Sequence, residues 1–272
     1  MIGFTYGGIS SRTYNIVAKS INRPILPVLR KRELVVPGRH GSYDFSDNTF
    51  EKRIIEIELR YIGTNFAELR TRARQIAYWL SGFSGTKNLI FSDEPDKQYI
   101  AKIYSEIGLA NLFKVGECKV QFECEPFAYY LASTGEQQTW SSILTWDNDY
   151  LAWFGSFSGY TLDVTANVTA TFTNYGTFNV RPTFRITGSF TDFTITQGTA
   201  TLTYTEAITG SQTLTIDCEN YTVALGTTNK MTEISGTATA EFIELATGSN
   251  TLIFSGTSMN ASVTVDFTAR YL

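Results

Sequence analysis

Apolar and polar residues alternate with a period of two along most of this 272-residue chain, and one clear stretch departs from that rule. Alternation places successive side chains on opposite faces of an extended strand, so it describes sheets with one buried and one wet face. In Arg53 to Ile62, Ile55, Ile57, Leu59 and Tyr61 share one face, and Glu56, Glu58 and Arg60 share the other. In Val115 to Glu125, Cys118, Val120, Phe122 and Cys124 oppose Lys119, Gln121, Glu123 and Glu125. Leu162, Val164, Ala166, Val168, Ala170 and Phe172 alternate in the same way, as do Val263, Val265, Phe267, Ala269 and Tyr271 near the end. The departure is Asn65 to Ser81. There Phe66, Leu69, Ala73, Ile76, Ala77 and Leu80 recur at steps of three, four and seven, the stripe of an amphipathic helix. Thr64 or Asn65 can cap its start, and Gly82 stands where a helix stops.

These patterns predict a mainly β protein. One helix covers a face of an N-terminal sandwich, and an all-strand region follows. In that region Asn174-Tyr175-Gly176, Gly188, Gly198, Gly210, Gly226 and Gly248 read as turns between short strands, the spacing of an antiparallel sandwich. In the first region Asp93-Glu94-Pro95-Asp96 reads as a turn.

Charge divides the chain at the same place. Residues 1–130 carry 18 Lys and Arg against 14 Asp and Glu, a surplus of four positive charges. Residues 131–272 carry 4 against 12, a surplus of eight negative charges. Two modules are expected, 1–132 and 133–272, meeting where Leu131 to Gln138 turns small and polar. The overall charge of −4 argues against bulk nucleic-acid binding. Cys118, Cys124 and Cys218 form no CxxC pair, and Cys118 and Cys124 stand roughly 20 Å apart on one strand face, so buried free thiols of a reducing compartment are expected. The N-terminus has no leader pattern, and no apolar run approaches the roughly 18 residues of a membrane span, so a soluble protein made in a cytoplasm is expected.

Catalytic signatures are absent. His40 is the single histidine, and no GxSxG, GxxxxGK[ST], GxGxxG or HExxH occurs. No cofactor or metal is expected. Two other features invite a functional reading. Arg30, Lys31, Arg32 and Arg39 form one basic cluster with aliphatic flanks, which suits a solvated hairpin or a subunit contact better than a nucleic-acid reader. Trp140, Trp146 and Trp153 could stack on sugar rings, or pack in a core or between domains.

Taken together and in order, several segments resemble the distal tail protein family of siphophages, bacteriophages with long, non-contractile tails. They are Phe4-Thr5-Tyr6-Gly7-Gly8-Ile9-Ser10-Ser11 at the start, the loop from Val35 to Asp44 (VVPGRHGSYD), Trp79-Leu80 closing the helix, Leu89 to Tyr99, Val120 to Phe127, and Glu244 to Gly256. The tryptophan-rich stretch 138–160 departs from the family pattern. The resemblance implies a hexameric ring at the tip of the tail, built by a tail-tube-like N-terminal domain, with a galectin-like C-terminal sandwich pointing outward. It implies tail tube protein above, and tail-associated lysin, tail-tip, baseplate or receptor-binding proteins below. DNA would pass through the hole without specific binding, and the protein would reside in the virion after synthesis in the bacterial cytoplasm.

Residues 25–45 have few candidate core residues for their length and are expected to reach an adjacent subunit. Arg30, Arg32, Val35, Val36, Pro37, Gly38, Arg39 and Gly41 are the interface candidates. Three other readings stand beside the structural hub. A carbohydrate-binding module would attach the virion through Trp140, Trp146 and Trp153. A tail-tube protein would stack into long tubes. A glycoside hydrolase would turn over cell-wall polymer, which is not expected.

Overall fold

A computed structural model describes residues 3–61, 74–81, 83, 85–103, 117–131, 156–210, 212–236 and 242–272. The chain divides into two compact units, Met1–Leu131 together with Leu272, and Ala132–Tyr271.

The strands of the first unit are β1 (Phe4–Tyr6), β2 (Ile9–Ser10), β3 (Ile16–Asn22), β4 (Glu33–Leu34), β5 (Tyr43–Asp44), β6 (Arg53–Tyr61), β7 (Lys87–Phe91), β8 (Glu94–Lys102) and β9 (Glu117–Tyr130). All but β4 and β5 join one antiparallel sheet in the order β2-β1-β7-β8-β9-β6-β3. The alternation of β6 and β9 is what lets them sit at its centre. Ile55, Ile57 and Leu59 are fully buried on one face, and Val120, Phe122 and Cys124 are buried beside them. The opposite faces carry the charges, with Lys119 placed across from Glu58 and Gln121 across from Glu56.

The helical stretch is described at 74–80. Ile76 and Leu80 are buried as the stripe requires. Trp79, outside that stripe, is buried as well. Its ring stacks on Phe4 at 5.7 Å, and its indole N–H donates to the Tyr6 carbonyl at 2.9 Å. The helix therefore covers the β1 end of the sheet through an aromatic contact. Phe66, Leu69 and Ala73, together with both caps, lie outside the described residues.

Two segments differ from the sequence reading. Asp93-Glu94-Pro95-Asp96 is not a turn throughout, because β8 begins at Glu94 and the reversal is made by Ser92 and Asp93. β9 also runs through Pro126 to Tyr130. The register against β8 slips between Tyr99, which faces Ala128, and Ala101, which faces Cys124. Pro126 falls within that slip, where a residue without an N–H costs the ladder nothing.

The second unit is a sandwich of two antiparallel sheets. Its strands are β10 (Ser156–Val164), β11 (Val168–Asn174), β12 (Thr183–Ser189), β13 (Asp192–Gln197), β14 (Ala200–Tyr204), β15 (Thr213–Asp217), β16 (Thr222–Leu225), β17 (Thr228–Asn229), β18 (Ile234–Gly236), β19 (Gly248–Thr257) and β20 (Asn260–Thr268). One sheet runs β10-β20-β12-β15-β16-β17 and the other β11-β19-β13-β14-β18. Their inner faces share one core, in which Phe184 of the first meets Phe254 of the second edge-on at 6.2 Å.

The long alternation from Leu162 to Phe172 is broken at 165–167, and its halves belong to different sheets. Periodicity survives such a crossing because both halves point inward. Gly188 and Gly248 are strand residues rather than turns. At Gly188, φ is +133°, and a Cβ would stand 2.3 Å from the Asn260 carbonyl oxygen. The glycine is required by close packing on β20, not by a reversal.

Candidate functional site: the projecting arm

Between β3 and β6, two neighbours in the sheet, the chain leaves as a long hairpin over residues 23–52. Its strands are held by Glu51 N–H to the Val28 carbonyl, Arg30 N–H to Thr49 and Phe45 N–H to Arg32, and by the β4–β5 pairs Glu33–Asp44 and Leu34–Tyr43. From Val28 to Thr49 the residues are exposed, except Ser46, which is half-buried. Leu34 is 53% exposed and Val35 69%, and Val28, Leu29, Val36, Tyr43 and Phe45 are exposed too. A two-stranded hairpin with both faces in water is marginal alone. Exposed apolar side chains are concentrated on it, with Leu34, Val35, Tyr43 and Phe45 all uncovered.

Local chemistry stiffens the arm without covering it. Glu33 and Asp44 face each other across the pair, a like-charge opposition. Lys31 relieves one side with a 2.7 Å ion pair to Glu33. On the other side, the Ser46 hydroxyl and N–H both donate to the Asp44 carboxylate and hold it below the usual carboxylate range. The Ser46 hydroxyl oxygen in turn accepts from the Arg32 N–H at 3.1 Å and so ties the two strands together. Arg32 also pairs with Asp47 at 3.3 Å. Near the tip, the Arg39 guanidinium lies 3.8 Å over the Tyr43 ring, and Arg39 N–H donates to the Val36 carbonyl.

All eight interface candidates therefore lie on this one arm: Arg30 and Arg32 on its outgoing strand, Val35 and Val36 approaching the tip, and Pro37, Gly38, Arg39 and Gly41 around it. His40 is exposed at the same tip. Trp140, Trp146 and Trp153 lie outside the described residues, so the structure brings nothing to them. Sequence reasoning overlooked Tyr43 and Phe45, whose rings are 6.3 Å apart. Their signal was the alternation Tyr43-Asp44-Phe45, hidden by the surrounding loop residues.

No cluster of metal-ligating side chains occurs among the described residues. Cys118, Cys124 and Cys218 are free and buried, with burial pushing their thiols up to about 11, 12 and 12, so they stay protonated and unreactive near neutrality. No described helix is long and apolar enough to cross a membrane.

A helix-backed antiparallel sheet with a long exposed hairpin, followed in the chain by a two-sheet sandwich, defines a mainly β, two-unit protein. Residues 10–124 match the phage tail protein RIFT-related domain, and residues 175–271 match the siphovirus-type tail component, C-terminal domain. The chain belongs to the distal tail proteins of siphophages, and it is a structural component of the phage tail. No curated protein matches it. Among solved structures, the crystal structure of the Dit protein of phage SPP1, described as a paradigm of hub adsorption apparatus in phages infecting Gram-positive bacteria, shares the fold. The TM-score is 0.66 over 100% of both chains at 15% identity.

Proposed function

We propose that copies of this chain close into a hexameric ring at the distal end of the tail. The ring joins the tail tube on one side to tail-tip, tail-associated lysin, baseplate or receptor-binding proteins on the other, and leaves a channel for DNA. Its role is structural, without turnover of substrate. The observation that carries the reading is the arm: apolar side chains along residues 28–45, projected from the sheet and left uncovered within the chain. A neighbouring copy is the natural cover, because a closed ring presents the same recipient surface to every arm. The overall charge of −4 suits a channel through which DNA slides rather than sticks.

Deleting residues 30–45 tests this. The expected product is a folded chain that runs as a monomer in light scattering, while the full-length protein gives rings with a central hole in negative-stain images. Rings formed by the deletion variant would refute the role of the arm. Long tubes from the full-length protein would point to a tail-tube subunit instead.

A further inference from the structure

Beyond its root, where Pro27 is buried and Phe50 meets the Phe127 ring edge-on at 5.7 Å, the arm is exposed from Val28 to Thr49 except at Ser46, and it takes its direction from that root. The structure places two arginines there, one on each leg. Arg23 opens the outgoing leg, immediately after β3, and Arg53 closes the returning leg as the first residue of β6. Arg23 pairs with Asp93 at 3.2 Å and Glu94 at 3.0 Å, both at the reversal between β7 and β8, and its guanidinium lies 5.0 Å over the Phe91 ring. The Glu94 contact is an ion pair, and Nη1 makes no hydrogen bond among the described residues. Arg53 is only 3% exposed. It lies 5.7 Å over the Tyr99 ring, and its Nη2 donates to the Ile25 carbonyl at 3.4 Å. That last contact ties the side chain of one leg to the backbone of the other.

Two further facts single out this root. The outgoing leg reads Arg23-Pro24-Ile25-Leu26-Pro27, and its prolines restrict the backbone torsions there. Pro27 is buried, whereas Ile25, at 86%, and Leu26 are exposed. The second fact is a cost. The Arg53 Nε is buried and has no hydrogen-bond partner among the described residues, and burial lowers its pKa. A buried arginine with an orphaned N–H is a poor choice for stability alone, since a well-packed apolar side chain is often neutral or better in such a place. What methionine could not do is reach across to the Ile25 carbonyl.

We infer that Arg23 and Arg53 are positioning residues that set the direction of the arm and thereby its register on the next copy of this chain. The inference rests on the arm being the subunit contact. The leverage is large. A strand of about ten residues at ~3.3 Å each reaches roughly 30 Å, so a root tilt of about 10° moves the tip by about 5 Å. A shift of that size removes the tip from any contact built to side-chain tolerance.

The experiment measures arm direction separately from assembly. Spin labels go on the full-length chain at His40→Cys, at the tip, and Lys119→Cys, exposed on β9. The three native thiols are buried and remain unlabelled. Tip-to-sheet distances are then recorded at a dilution where the protein is monomeric, in the otherwise native chain, in Arg53→Met and in Arg23→Gln. The expected result is a broadening or shift of the distance distribution by about 5 Å in both variants. Melting of Arg53→Met should be unchanged or higher, and its ring formation should move to roughly tenfold or more higher protein concentration. Should Arg53→Met fail to fold, Arg23→Gln, made at a partly exposed charge, carries the test. A distribution as narrow and as placed as in the native chain overturns the inference, including when melting falls, for that is a purely structural role. If distances change while the 30–45 deletion still forms rings, the positioning stands and the reading of the arm as the ring contact falls.

Discussion

The β6 strand and the outgoing strand of the arm lie some twenty residues apart and use the same kinds of side chain, to opposite ends. Ile55, Ile57 and Leu59 are fully buried. Leu34, Val35 and Val36 face water. Apolarity alone therefore fixes that a residue wants cover, and the neighbours decide where the cover comes from. Strand β6 has β3 and β9 on its two sides and the core beneath it. The arm has one partner strand, itself equally exposed. Within one chain, the same driving force of roughly 25 cal/mol per Å² is spent on folding in one place and left unspent in the other, where the proposed subunit contact would use it.

The strongest way to break this comparison is to truncate one residue in each region. Ile57→Ala leaves a cavity beneath the sheet and should cost about 2–5 kcal/mol in urea unfolding at monomeric dilution. Val35→Ala, at an exposed site, should change the same measurement by less than about 0.5 kcal/mol. Similar losses at both positions would mean that the arm packs on the unit it leaves.

The contrast also explains what could be read in advance. Strand alternation identified the buried faces of β6 and β9 residue by residue, because period two is a local property and both strands are flanked on both sides. It failed where the cause was not local. Trp79 joined the core through β1, distant in sequence. The break at 165–167 lay inside an unbroken pattern, because two sheets facing each other ask for the same inward alternation. Gly188 resembled a turn because a glycine needed for close approach and one needed for a reversal are the same letter. For the arm, the shortage of core residues over 25–45 and a solvated hairpin around Arg30 to Arg39 were legible, and its strand pairing was not. Pairings such as Leu29 with Phe50 span too many residues for local pattern to announce them.

A smaller effect sharpens the comparison from the side of association. Leu34→Asp with Val35→Asp places two charges on the arm without touching the core. Melting of the monomer should stay within about 0.5 kcal/mol of the native value, as at other exposed sites. Ring formation, followed by light scattering against protein concentration, should weaken strongly, because burying an unpaired carboxylate in a contact is costly. Unchanged assembly would place the contact elsewhere on the chain.

The smallest effect separates the two regions by pH. Asp44 is held below the ordinary carboxylate range, chiefly by the Ser46 hydroxyl, with the Ser46 N–H adding to it. A depressed folded pKa stabilises above the unfolded value and loses that contribution as pH falls through the folded value. On passing below about pH 4, where an ordinary Asp protonates, the arm should begin to lose the strand tie that runs from Asp44 through Ser46 to the Arg32 N–H. The buried faces of β6 and β9 contain no carboxylate, and their pairing should persist over the same interval. Amide exchange resolved by residue reads both at once: protection at Arg32 and Phe45 should fall first, with Ile57 and Val120 still protected. Simultaneous loss would mean that arm and sheet open as one cooperative body, and the division of labour between folding and association would then have no structural boundary at the root.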